Sequence, residues 1–96
     1  MSDCIYYPKG DLRRMLAVLA AIDRLGERAT LVNLAMFTGL DKKTVGDLVL
    51  KAIDQAGVTV FKDGSRYWIE DWGPVFKRDG AQQAMRGRVG LVRPIG

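Results

Sequence analysis

The sequence predicts an α+β fold that is mainly α: three helices, then a β-hairpin, then an irregular basic tail. Three observations carry that expectation. Apolar residues recur at three- and four-residue steps through two segments, Leu12–Leu25 and Lys42–Ala56, as they do on one face of a helix. After Gly57 the pattern changes to β-branched and aromatic runs, Val58-Thr59-Val60-Phe61 and Tyr67-Trp68-Ile69. Between those runs stands Asp63-Gly64, a pair that suits a tight hairpin turn because both residues tolerate positive φ. The 96 residues make one domain with no room for a second core.

Residues 1–10 read as an extended N-terminal arm, because Tyr7 precedes Pro8 and Gly10 breaks the chain again. Asp11 stands at an N-cap position, and Leu12, Met15, Leu16, Leu19 and Ile22 form the inward stripe of the first helix. Gly26 stops it. Thr30 caps a short second helix, with Leu31, Leu34, Ala35 and Phe37 inward and Gly39 at its end. Asp41 caps the third helix, whose expected inward face is Val45, Leu48, Val49, Ala52 and Ile53. Val58, Val60, Tyr67 and Ile69 are the inward candidates of the hairpin, which spans 58–70 and turns at Asp63-Gly64. Met15, Met36, Trp68 and Trp72 are expected to fill or cover the small core. Residues 71–96 scatter glycine and proline and are read as an irregular basic extension, with at most one helical turn near Ala81–Arg86.

Composition narrows the function classes. The chain has no histidine and one cysteine, Cys4, which removes the usual zinc spacings, the Ser-His-Asp triad and the Cys-His pair. Phosphate loops of the GxxxxGK[ST] or GxGxxG type are missing as well. The sequence therefore points away from an enzyme and calls for no catalytic residue, metal or cofactor. No run approaches the ~20 apolar residues of a membrane span, and Met1-Ser2-Asp3-Cys4 does not read as a secretory signal. Cytoplasm is the expected compartment, with no membrane partner. The net charge of +4 is uneven. Residues 1–70 hold ten Lys/Arg against nine Asp/Glu, whereas residues 71–96 hold five against two.

The sharpest local signal lies between Thr30 and Gly57. Leu34-Ala35, Thr38-Gly39-Leu40 and Thr44-Val45 match the pattern LA-x-x-TGL-x-x-x-TV. Each has a physical reason. Ala35 stays small where the next helix crosses, Gly39 makes the turn, and Val45 plugs the core beneath both helices. Only Gly39, Leu40 and Asp41 separate the second helix from the third, the short connection of a helix-turn-helix. Three helices followed by a hairpin form a winged helix. The segment resembles the helix-turn-helix of winged-helix regulators, including the MarR-like family, at motif level over 30–57 and in architecture over 11–70.

That resemblance implies sequence-specific binding of double-stranded DNA by a small transcriptional regulator. The third helix, 42–56, would enter the major groove, and the wing, 58–70, would lie on the flanking backbone. Lys42 and Lys43 suit phosphate or guanine, Thr44 suits phosphate or base, and Asp47 can accept from a cytosine amine. Lys51 lies further along the same exposed face. Lys62 and Arg66 are expected on one surface of the wing, Lys62 for phosphate and Arg66 for a minor groove. Thr30 and Asn33 are phosphate candidates whose first duty is capping. A homodimer on two half-sites would raise affinity, through the first helix or residues 71–96, with Ile5, Tyr6, Trp72, Val75 and Phe76 as apolar surface. Two other readings stay open. Asp47, Asp54 and Leu50 on the exposed face favour a winged-helix module for a protein partner, and the wing aromatics with the basic tail suit single-stranded nucleic acid.

Overall fold

The computed structural model describes residues 4–88 and is α+β, mainly helical. Its described elements run α1 (Leu12–Leu25), a short 3-10 turn at Gly26–Arg28, α2 (Leu31–Thr38), α3 (Lys42–Ala56), β1 (Thr59–Asp63), β2 (Arg66–Asp71) and α4 (Arg78–Met85). Each of the first three α-helices opens on the cap that the sequence indicates. Asp11 accepts from the Arg13 N–H at 2.9 Å, Thr30 from the Asn33 N–H at 3.2 Å, and Asp41 from the Thr44 N–H at 2.7 Å. Such caps satisfy donors that the first helical turn leaves unpaired. Gly39 and Gly57 end α2 and α3 in the left-handed region, at φ +79° and +68°.

The core lies where α1, α2, α3 and the hairpin meet. Val18, Leu19, Ile22, Leu34, Val45 and Val58 are its large, almost fully enclosed side chains. Val60, Tyr67 and Ile69 pack against it from one face of the hairpin, as their alternation requires. β1 and β2 are antiparallel, pairing Val60 with Ile69, Phe61 with Trp68, Lys62 with Tyr67 and Asp63 with Arg66. A bulge follows at Thr59, which pairs with Asp71. A single bridge between Thr30 and Arg66 ties β2 to the chain just before α2, and the Tyr67 N–H donates to the Ala29 carbonyl at 2.8 Å.

Several expectations are corrected. The two-residue turn is Gly64-Ser65, one position later than Asp63-Gly64. Gly64 has φ +62° and Ser65 does not have positive φ, which follows the type II′ preference for glycine first. Met36 is 75 % exposed and fills no core. In α3, Ala56 rather than Ile53 completes the buried face, and Leu12 of α1 also faces outward. Trp72 packs against the core, but Trp68 stands on the far face of the hairpin, edge-to-face with Phe61 at 5.6 Å.

The largest departure lies beyond Asp71. Residues 78–85 are helical rather than irregular, and α4 packs along the side of α1 opposite the main core. Ala81 and Met85 meet Ala17 and Ala20 there, all nearly or fully buried. Small alanines on α1 let the two helices approach closely. Arg78 reaches the Asp23 carboxylate at 2.9 Å, and Gln82 bonds both Asp23 and the Ala20 carbonyl. The N-terminal arm closes this second layer: the Ile5 N–H donates to the Met85 carbonyl, and the buried Tyr7 hydroxyl donates to the Ala84 carbonyl at 2.5 Å. Residues 89–96, with Arg93 of the basic tail, lie outside the described residues, as do residues 1–3.

Candidate nucleic-acid interface

The exposed surface of α3 follows from its cap and its buried face. Burial of Val45, Val49, Ala52 and Ala56 turns Lys43, Asp47, Leu50 and Asp54 outward, at the three- and four-residue steps of one helical stripe. The three-residue connection Gly39-Leu40-Asp41 sets α3 across α2, with Leu40 buried beneath it. At Asp41, the Thr44 N–H holds the carboxyl below the ordinary carboxylate range, with the Thr44 hydroxyl and the Arg14 and Lys43 charges acting in the same direction. The first turn of α3 is thus fixed, and the side chains of Lys42 and Lys43 are left exposed beside it.

An open groove of about 470 Å³ runs between α3 and the hairpin. Lys42, Lys43 and Asp47 border it from α3, and Lys62 borders it from β1. Its floor is apolar, formed by Leu31, Val49, Leu50, Ile53, Val60 and Tyr67, with Gly46 leaving the α3 backbone uncovered. The Lys62 ammonium lies 5.4 Å from the Tyr67 ring centre, a cation–π contact that holds it over the groove. On the other side of α3 a second concavity, about 680 Å³, is bordered by Thr44, Lys51, Lys9 and Arg14. Lys43 and Asp47 border both spaces, so they stand on the crest of the helix.

Of the nine residues singled out from sequence, four meet at the groove: Lys42, Lys43, Asp47 and Lys62. Thr44 and Lys51 fall on the far flank of α3. Thr30 spends its hydroxyl oxygen on the α2 cap, and Asn33 donates its side-chain amide to the Arg28 carbonyl at 2.8 Å. Arg66 does not join Lys62. Because Lys62 pairs with Tyr67 and Asp63 with Arg66, the two cations lie on opposite faces of the hairpin. The Arg66 guanidinium sits 5.3 Å from the Trp68 ring centre, and its buried Nε has no hydrogen-bond partner among the described residues.

Sequence reasoning missed the contributions of Ile53, Leu31, Lys9 and Arg14. The last two come from the arm and α1 and reach α3 only through the tertiary fold, so no local pattern announces them. Chemically, the groove offers a cationic rim for anionic oxygens and an apolar floor for methyl or aromatic groups. The described residues hold no cluster of three or more His, Cys, Asp or Glu placed to bind a metal ion, and no helix among them is long and apolar enough to cross a membrane. Comparison of the chain with protein-family models, curated proteins and solved structures gives no match in any of the three.

Proposed function

We propose that this chain is a small winged helix-turn-helix regulator that binds double-stranded DNA, with α3 in the major groove and the β1–β2 hairpin as its wing. One observation carries the reading: Lys42 and Lys43 from α3 and Lys62 from the hairpin surround a single open groove beside the exposed first turn of α3. A major groove ~12 Å wide admits one helix, and flanking lysines then neutralise phosphates on either side of it. The short α2–α3 connection and the bridge from Thr30 to the hairpin support the same architecture. Arg66 makes no minor-groove contact in this reading, because it lies across the hairpin from Lys62.

Pairing of two copies on two half-sites belongs to the proposal. Since α4 covers the back of α1, the contact would fall to exposed apolar residues such as Ile5, Tyr6 and Val75. Light scattering with and without duplex reads that state, and a monomer in both conditions contradicts it.

A second reading has its own observation. Leu50 is 64 % exposed and Ile53 40 %, which suits an apolar segment of a protein partner. Anisotropy titrations on a random duplex, on one of its strands and on enriched genomic fragments separate these readings. The DNA reading expects binding to duplex that weakens steeply between low and physiological salt and tightens on the enriched fragments. Equal, weak binding to all three removes it and leaves the protein partner.

A further inference from the structure

The crest of α3 is unusual in what it lacks. Lys42–Ala56 contains no arginine or asparagine, and its one glutamine, Gln55, stands in the last turn on the flank away from the hairpin. The usual bidentate partners of adenine, and the strongest one of guanine, are therefore missing from the surface that would meet base edges. What stands there is Lys43 and Asp47, with Leu50 next along the axis on the groove side of the same stripe. From Lys43 to Leu50 the helix advances about 10 Å at ~1.5 Å per residue, roughly three base-pair steps of ~3.4 Å.

Leu50 is the informative residue. It is 64 % exposed between the Lys62 side of the groove and the Asp47 crest, and Gly46, one turn earlier, leaves the backbone uncovered next to it. A branched aliphatic side chain in a major groove has one favourable counterpart, the C5-methyl of thymine. Resting on the DNA-binding reading, we infer that Leu50 and Asp47 set the base preference: Leu50 packs on a thymine methyl, and Asp47 accepts from the exocyclic amine of a cytosine about one step away. The lysine rim supplies the charge that brings this otherwise mixed surface against phosphate. Binding specificity then depends on a single methyl group and a single amine.

The test is a selection of duplexes from a random library with the full chain, followed by replacement of each thymine in the tightest duplex by deoxyuridine, which removes only the methyl. One thymine in the α3 footprint should weaken binding roughly four-fold on replacement, the value of one buried methyl-sized group. In Leu50→Ala, which should fold like the parent because the Leu50 side chain is exposed, the same uridine should change nothing. Asp47→Asn should lose the preference for cytosine at the neighbouring position by roughly five-fold or more. Enrichment of a duplex that tolerates uridine at every position overturns this inference and leaves the DNA reading standing. Failure to enrich any duplex overturns both.

Discussion

Gly46 sits in the interior of α3 with ordinary helical backbone, since it is not among the glycines of positive φ. Among the described residues, a Cβ added there would meet no atom of another element within 4 Å. Nothing among those residues requires glycine at this position. Gly46→Ala removes backbone freedom from the unfolded chain and should stabilise the protein by about 0.8–1 kcal/mol. For a domain of this size that is a rise in melting temperature of about 4–8 °C. The added methyl also projects into the groove between α3 and the hairpin. If the proposed duplex approaches the helix there, affinity should fall although stability rises. Thermal denaturation followed by circular dichroism, with a duplex titration below the transition, reads both. A melting temperature that stays the same or drops refutes the helical argument. A higher melting temperature with unchanged affinity refutes the close approach of DNA at this residue.

Other perturbations test other layers. Met85→Ala should destabilise the protein by about 3 kcal/mol, because the side chain is enclosed between α4 and Ala17 and Ala20 of α1; a fall in melting temperature smaller than a few degrees would mean that α4 is not part of the core. Gly73→Ala should cost about 3 kcal/mol in urea denaturation, since φ is +77° and a Cβ would stand 2.5 Å from the Gly57 carbonyl oxygen; an unchanged midpoint contradicts the packing of this turn on the end of α3. Acid should act through the helix caps. Arg13 holds Asp11 down at about 2, so its cap contributes stability above about pH 4 that is lost as pH falls toward about 2; the Thr44 N–H lowers Asp41, whose contribution is lost in the same direction, on acidification. The Asp11→Asn, Asp41→Asn double variant should lose less stability over that window, and an identical acid profile counts against the caps.

The elements legible in the sequence are those with local signals that agree with the tertiary fold. Asp11, Thr30 and Asp41 cap where their chemistry indicates, and Gly39 and Gly57 end helices where only left-handed backbone continues the chain. The hairpin is marked by β-branched and aromatic residues, but the turn falls at Gly64-Ser65 because a glycine-first turn needs only one positive φ. α4 was illegible for a physical reason. It opens at Lys77 with no side-chain cap, carries Gly80 inside, and has few large apolar residues. Its stability comes from contacts with α1, 55 and more residues away, as in the Arg78–Asp23 pair. The same limit explains the candidate site. Lys42, Lys43 and Asp47 are neighbours on one helix and could be grouped from spacing alone. That Lys62 faces them while Arg66 turns away depends on strand register, which a two-residue turn fixes only once its position is known.

The proposed duplex binding rests most directly on Lys42 and Lys43. Both are exposed at the first turn of α3, so the Lys42→Ala, Lys43→Ala double variant should fold with a change of under about 0.5 kcal/mol. Affinity for the selected duplex, titrated at several salt concentrations with thermal melting alongside, gives the slope of log K against log salt. Loss of two phosphate contacts should lower affinity and flatten that slope by about 1.8, because two fewer condensed cations are released per contact pair. A double variant that melts like the parent and binds the same duplex with the same affinity and the same slope would show that α3 does not meet DNA.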